Sequence, residues 1–384
     1  MNDGIIGVIL AISLILVLSP HFSRLIGLPT APIEIVLGSI LAILGIIDTT
    51  NNIFFLIAHV GFLYLMFLAG LEVNIKSIFK MPKAYIVQSI YFLMIMWGLA
   101  LLFGFTFNLN PVLIMILPLI SIGILATLSK EYGKEARWIK LSFLIGTIGE
   151  VLSIIALTIF EASSNVSGLH ELFSKIGLLL VFLLAIWILY LIFKTLFWWH
   201  PELKTILMPN NNVSDGKYQD VRLAMGIFFI MISIMLKLHL EVAFGSFIAG
   251  VFIATFFHHH QELEEKIASF GFGFLVPIFF VYVGASFDLK NIFIVEVLEI
   301  TIILLFSMFA IRIVAAFILS FITNKRQVLL IAFALSMPLT LMIAVATIAY
   351  ESSSIVEFEY YAVILASLLE VIISMIVIKK LVKQ

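Results

Sequence analysis

The chain has 384 residues, of which 63% are hydrophobic and only 12% are charged. Soluble domains carry about 25% charged residues, so this composition predicts an all-α polytopic membrane protein with a single membrane domain over residues 1–384. The formal charge of −1 indicates no particular partner, and the sequence has no basic patch, so we expect no nucleic acid as a partner. The absence of cysteine excludes structural disulfides and thiolate metal sites.

Thirteen segments are predicted to be transmembrane helices, because a helix needs about 20 mainly apolar residues to cross the hydrocarbon. The first lacks a basic amino-terminal region and a small-residue cleavage site, which favours a retained helix over a signal peptide. In chain order the predicted spans lie at roughly 4–20, 30–47, 52–71, 84–107, 111–129, 139–160, 172–198, 223–236, 242–257, 268–285, 298–322, 328–350 and 359–378.

Two pairs of matched segments indicate an internal repeat. Residues 33–46 read IEIVLGSILAILGI, and residues 240–253 read LEVAFGSFIAGVFI. The sequence GLEVNIKSIF at 70–79 likewise returns as GASFDLKNIF at 284–293. Two matches in the same order, in a chain this apolar, predict the duplicated architecture of a transporter.

The basic residues orient this repeat. With the amino terminus outside the cell, most of the 22 Lys and Arg residues fall in predicted cytoplasmic loops, which is the positive-inside signal. The loop after Gly70 is then cytoplasmic, whereas the matching loop after Gly284 is outside, so the halves are inverted. We therefore predict inverted repeats at 30–198 and 223–380, joined by a polar cytoplasmic linker at 199–222, in the cytoplasmic (inner) membrane.

Three charged residues lie deep within predicted spans: Glu150, Arg312 and Glu370. A charge at this depth is costly and marks a candidate functional residue. Glu150, about 15 Å from either surface at 1.5 Å per residue, is the first candidate, with a structural carboxyl as the alternative. Arg312 cannot deprotonate in practice, and its role as a transport residue or as a structural counter-ion is left open. Glu370 is predicted to be structural, paired with Arg312 or with a backbone group.

Two predicted spans contain residues that interrupt a helix. Residues 121–127 combine glycine with hydroxyl residues, and residues 336–340 contain Pro338. Proline removes a backbone hydrogen bond and frees a carbonyl. Such carbonyls and the hydroxyls of Ser121 and Thr340, beside a carboxylate, could bind a hard monovalent cation. The alternative is a pair of kinked packing helices.

Other charged groups are given structural interpretations. Glu34 and Glu241 lie near predicted helix starts, where a carboxylate suits the positive end of the helix dipole, so helix capping and packing are preferred over a functional role. A solvated cytoplasmic loop is preferred over a metal or pH-sensing site for the histidines at 258–260 and the glutamates at 262, 264 and 265. Because neither a nucleophile–base constellation nor a metal-ligand spacing occurs, we predict no enzyme, no metal and no cofactor.

Four segments carry a family resemblance. LYLMFLAGLEVNIKSI at 63–78 resembles the third-helix signature of the monovalent cation:proton antiporter-2 family, which includes Kef-type potassium-efflux transporters and bacterial sodium/proton antiporters. LPTAPIEIVLGSILA at 28–42 resembles the preceding helix. VAFGSFIAGVFIA at 242–254 and FGFGFLVPIFFVYVGASFDL at 270–289 resemble the second-half signature. The resemblance covers nearly the whole chain and implies about thirteen helices, a dimerisation domain, and a core domain with two crossed, interrupted helices.

The resemblance also implies roles for individual residues. The family's Asp-Asp or Asn-Asp pair falls on Gly149 and Glu150, so Glu150 represents the ion-binding carboxylate and Gly149 replaces the first member. The family's membrane-embedded basic residue falls on Arg312. Ile-Ser-Ile at 120–122 replaces the usual Thr-Asp or Ser-Pro break, and Pro-Leu-Thr at 338–340 replaces an Arg-Gly-Glu-like stretch.

The implied function is exchange of a monovalent cation, sodium or potassium, for protons at Glu150. With one such carboxylate and Arg312 as a fixed compensating charge, we expect one proton per cation and electroneutral exchange. The expected partners are the lipid bilayer and a second copy of the chain in a homodimer. Two alternatives stay open: a Kef-type potassium-efflux subunit gated by a separate cytosolic protein, and a membrane sensor or scaffold that does not transport.

Overall fold

The computed structural model describes residues 2–47, 49, 51–72, 81–133, 135–164, 169–200, 202, 218–238, 240, 242–256, 261–286 and 294–383. These residues form helices and connecting turns, and none of them is in a β-strand. The helices are α1 Asn2–Ile26, α2 Thr30–Ile43, α3 Asn52–Glu72, α4 Lys83–Thr106, α5 Pro111–Ile116, α6 Gly123–Tyr132, α7 Arg137–Ser164, α8 Leu169–Trp199, α9 Gln219–Leu238, α10 Val242–Phe256, α11 Gln261–Phe270, α12 Val276–Ser286, α13 Val295–Ala316, α14 Lys325–Leu335, α15 Leu339–Glu351 and α16 Glu357–Lys383. A π-helical turn joins α11 to α12, and a 3-10 turn follows α13.

Most of these helices suit a bilayer in length and composition. Among the described residues, nine helical stretches are long and apolar enough to cross a membrane, and three further apolar helices are shorter. The predicted all-α polytopic membrane fold is therefore confirmed. The count of thirteen spans stays a prediction.

Asparagine caps fix the starts of two helices that are interrupted further along. Asn110 precedes Pro111 at the start of α5, and its side-chain oxygen accepts a 3.1 Å hydrogen bond from the Val112 N–H. Asn324 caps α14 in the same way, accepting a 2.9 Å bond from the Gln327 N–H. Such caps satisfy backbone donors that have no partner within the helix.

The chain forms two compact units. The first contains Met1–Gly61, Lys76–Leu157 and Phe274–Gln384, and the second contains Phe62–Ile75 and Thr158–Gly273. Each unit takes segments from both predicted repeat halves, so neither unit corresponds to one half. All the predicted site residues belong to the first unit, and the repeat boundaries stay a prediction.

Within the first unit, α2 and α12 approach closely through glycines. A Cβ added at Gly38 would lie 2.5 Å from the carbonyl oxygen of Val281, and one at Gly284 would overlap the carbonyl of Ile35. The hydroxyl of Ser39 donates a 2.6 Å hydrogen bond to the Gly284 carbonyl. The glycines thus permit direct contact between the two backbones, as small residues do in membrane helix pairs.

The second unit contains a similar contact between α3 and α10. A Cβ at Gly70 would overlap the carbonyl of Phe247, and one at Gly250 would overlap the carbonyl of Phe67. By sequence, α10 matches α2 and α12 matches α3. Thus α2 packs on α12, and α10, which matches α2, packs on α3, which matches α12. The same contact is therefore formed twice, as expected if the helix pair is duplicated.

Glu34 is a buried packing residue and not a helix cap. Helix α2 begins at Thr30 after Pro29, so Glu34 lies beyond the first turn, where its carboxylate accepts a 3.1 Å hydrogen bond from the Ser19 hydroxyl. Its predicted capping role is therefore wrong, whereas its packing role is confirmed. Glu241, the histidines at 258–260 and most of the linker, at 203–217, lie outside the described residues.

Candidate functional site

The first interrupted helix breaks between α5 and α6. Helix α5 ends at Ile116 and α6 begins at Gly123, so the break starts earlier than the predicted 121–127 and ends within it. The physical reason is Pro118, which has no N–H to donate to the helix and so cannot continue its hydrogen-bond ladder. Ser121 lies inside the break, as predicted.

The second break lies between α14 and α15. Helix α14 ends at Leu335, and α15 begins at Leu339 directly after Pro338. The predicted interruption around Pro338 is confirmed, and Thr340 lies in the first turn of α15. Both breaks therefore present hydroxyl side chains next to backbone groups that a continuous helix would have used internally.

Glu150 on α7 lies beside the first break, close to the residues that follow the second. Its side chain is buried, with only 1% of its surface exposed. The Ser121 hydroxyl lies 3.1 Å from Glu150 Oε1, to which it donates, and 3.0 Å from the Thr340 hydroxyl oxygen. One buried carboxylate thus meets the hydroxyls of the buried Ser121 and the half-buried Thr340, and oxygen atoms of these kinds are the ligands that hard cations prefer.

Gly149 serves the packing of the site and has no side chain to supply a ligand. A Cβ there would lie 2.7 Å from Cδ1 of Ile120, so the break occupies the space of a larger side chain. The Gly149 carbonyl accepts a 2.7 Å hydrogen bond from Ser153, whose oxygen accepts a 3.2 Å bond from the Ile120 N–H. Ser153 therefore satisfies a donor that the break leaves without a helical partner.

Arg312 is completely buried and joins the two breaks. Its guanidinium donates to the carbonyls of Leu119 in the first break, at 2.6 Å, and of Leu335 before the second, at 3.1 Å. A third bond, also 3.1 Å, reaches the Met308 carbonyl one turn earlier. Its Nη1 lies 3.5 Å from Oε1 of Glu370, which is also completely buried. The predicted pairing of Glu370 with Arg312 is confirmed.

Each break also forms a hydrogen bond with a serine on the helix that follows the interrupted helix: Ser153 on α7 for the first break and Ser374 on α16 for the second. On α16, the Ser374 hydroxyl donates a 3.0 Å hydrogen bond to the Ser336 carbonyl in the second break. Helix α16 thus carries Glu370 and Ser374 to the second break, as α7 carries Glu150 and Ser153 to the first. Neither serine is among the predicted site residues. Spacings of three and four residues place each on the same helix face as its glutamate, which is the signal that could have found them.

Comparison with known proteins places this chain among cation:proton antiporters. Residues 9–384 match the family described as sodium/hydrogen exchanger, transmembrane. The chain is 27% identical over 380 residues to the putative Na(+)/H(+) antiporter YjbQ of Bacillus subtilis, covering 94% of this chain and 60% of that protein. It is 28% identical over 303 residues to the Na(+)/H(+) antiporter NhaS4 of Synechocystis, covering 70% of this chain and 71% of that protein.

A solved structure shares the fold. The sodium proton antiporter MjNhaP1 from Methanocaldococcus jannaschii, determined at pH 8, superimposes with a TM-score of 0.67 at 18% identity, covering 99% of this chain and 100% of that chain. The chain spans less than two thirds of the length of YjbQ. The match to the family nevertheless extends over almost all of the chain, which confirms the resemblance seen in the sequence. The chain belongs to the sodium/hydrogen exchanger family of transmembrane cation:proton antiporters.

Proposed function

We propose that the protein exchanges sodium ions for protons across the inner membrane, with Glu150 holding either ion in turn. The observation that carries this proposal is the meeting of the buried Glu150 carboxylate with the Ser121 and Thr340 hydroxyls at two helix breaks. The relatives YjbQ and NhaS4 are named as Na(+)/H(+) antiporters. Those names support sodium over potassium, and exchange over a gated efflux pore or a scaffold.

Exchange follows from competition at one carboxylate. A bare ionised carboxylate is unfavourable at membrane depth, so the site is stable when Glu150 carries a proton or a cation. When sodium enters, the proton leaves. The hydroxyl of Ser121 then turns its hydrogen away from Glu150 and offers its oxygen, with that of Thr340, to the cation.

Arg312 is the fixed positive charge near the site in this mechanism. Its guanidinium cannot lose a proton in practice, and its bond to the Leu119 carbonyl places it two residues from Ser121 in the same break. We propose that it compensates the ionised form of Glu150 through this break while it remains paired with Glu370. One carboxylate then gives one proton per sodium ion and electroneutral exchange.

The remaining features of the proposal concern the whole protein. We propose a homodimer in the lipid bilayer, with the amino terminus outside and the carboxyl terminus in the cytoplasm. Transport by Glu150 requires neither an enzymatic step nor a cofactor, and a separate cytosolic regulatory subunit belongs to the alternative of a gated efflux pore.

The proposal is tested by proton movement in everted vesicles, measured with a pH-sensitive dye after addition of Na⁺, K⁺ or Li⁺. Sodium should release the proton gradient, and its apparent KM should rise as the pH falls, because protons compete for the same carboxylate. Glu150→Gln should abolish the response, whereas Glu150→Asp should keep part of it. Glu34→Gln, which neutralises a buried carboxyl outside the site, is the matched control. Full exchange by Glu150→Gln would refute the mechanism.

Stoichiometry is tested in proteoliposomes with a preset sodium gradient. Electroneutral exchange moves no net charge, so proton flux should be insensitive to an imposed membrane potential. A transport current on a supported membrane would contradict the one-carboxylate mechanism.

A further inference from the structure

Glu370 occupies in the second half of the chain the place that Glu150 occupies in the first. Each glutamate lies on the helix that follows an interrupted helix, and the two are 220 residues apart in matching Glu-Val pairs. Each is followed by a serine bonded to the backbone of the neighbouring break, Ser153 to Ile120 and Ser374 to Ser336. The duplication therefore places two buried carboxylates at equivalent positions.

The group beside Glu370 is the guanidinium of Arg312. A hydrogen-bonded Arg–carboxylate pair has N–O distances of about 2.7–2.9 Å and is frequently bidentate. Here the distance is 3.5 Å, and neither Glu370 oxygen accepts a hydrogen bond from any residue that the structure describes. Instead, Arg312 donates to backbone carbonyls at both breaks. The carbonyls hold the guanidinium, which faces Glu370 as a positive charge.

We infer that Glu370 is a second site for a monovalent cation, and that Arg312 fills this site permanently as a tethered cation. Without the guanidinium, the fully buried Glu370 carboxylate would lie near the released carbonyls of Leu119 and Leu335. Carboxylate and carbonyl oxygens are the ligands of hard cations, and a buried carboxylate without a counter-charge is strongly destabilising. Both facts favour entry of a cation from solution.

This inference rests on the proposed function, because it assigns to Glu370 the kind of ligand proposed for Glu150. It also explains why a chain with two equivalent carboxylates would use only one. The tethered cation blocks the second site, and the stoichiometry stays at one proton per cation. The space vacated by the guanidinium would border Leu119 in the first break, which provides a route for the ion from the site at Glu150.

The experiment asks whether removal of Arg312 creates a new sodium site. Glu150→Gln, Glu150→Gln/Arg312→Gln and the triple variant with Glu370→Gln are purified in detergent. Their thermal unfolding is followed in sodium chloride and in choline chloride, because a ligand that binds only the folded state raises Tm. We expect a rise of several degrees in sodium for the double variant, and no difference between the salts for the other two.

The outcomes separate this inference from the proposed function. Sodium should also raise the Tm of the unsubstituted chain, and failure there would count against Glu150 as a sodium site. If the unsubstituted chain responds and a folded double variant does not, only the second site is overturned. A double variant that survives purification only in sodium supports the inference. If the double variant cannot be purified in either salt, while the triple variant can, the inference is overturned.

A lysine variant covers the case in which every glutamine variant at 312 is lost. Lysine keeps a positive charge beside Glu370, but unlike arginine it can release its proton when buried. In Glu150→Gln/Arg312→Lys, sodium should therefore displace the lysine proton at Glu370 and raise Tm relative to choline. Equal Tm values in the two salts would overturn the inference.

Discussion

Ser121 is the residue whose removal tests the proposed ligand set most directly. Its hydroxyl lies 3.1 Å from the Glu150 carboxylate and 3.0 Å from the Thr340 hydroxyl. An interaction of a hydroxyl with a charged group contributes about 1.5–3 kcal/mol, and about 1.4 kcal/mol corresponds to a tenfold change in affinity. If Ser121 is a sodium ligand, Ser121→Ala should raise the apparent KM for sodium by about 10- to 100-fold.

Ser153→Ala is the matched control, because it removes the same atom from a neighbouring position. The Ser153 hydroxyl bonds to the Gly149 carbonyl and to the Ile120 N–H, and its proposed role is purely structural. Its loss leaves a buried N–H without a partner, which costs about 1–3 kcal/mol of stability. We therefore expect a lower Tm in detergent and an unchanged KM for sodium.

The assay is a sodium titration in everted vesicles at fixed pH, with thermal unfolding of the purified variants measured in parallel. Ser121→Ala should change the KM for sodium, whereas Ser153→Ala should change Tm. An unchanged KM in Ser121→Ala, or the same rise in Ser153→Ala, would refute the argument that the Ser121 oxygen contacts the ion.

Two further predictions concern stability. Glu370→Gln removes one partner of the buried Arg312–Glu370 ion pair, so it should lower the free energy of unfolding by about 3–5 kcal/mol. Thermal unfolding should show a much smaller loss for Glu34→Gln, and equal losses would contradict the ion pair. Gly284→Ala places a Cβ on a neighbouring backbone carbonyl and should lower Tm, whereas Gly98→Ala, on the exposed face of α4 with nothing within 4 Å, should leave Tm unchanged or raise it slightly.

Much of the membrane architecture could be predicted from the sequence, because hydrocarbon imposes rules that act residue by residue. Apolar runs identify the spans, since no helix can expose charge to lipid at low cost. For the same reason Glu150, Arg312 and Glu370 were recognisable as candidates from depth alone. Pro338 predicts the second break correctly. Pro118 carries the same information for the first break, which begins after Ile116 and therefore before the glycine and hydroxyl residues at 121–127.

The partners of these residues could be decided only by the tertiary structure. Ser121 and Thr340 are 219 residues apart, yet their hydroxyl oxygens lie 3.0 Å from each other. Arg312 reaches the carbonyl of Leu119 across 193 residues and pairs with Glu370 on another helix. Depth in the membrane is a property of each segment, so the sequence alone identifies Glu150, Arg312 and Glu370 as charged residues at membrane depth. Which oxygen each one meets depends on how separate helices and their breaks pack together, and hydropathy carries no information about that packing.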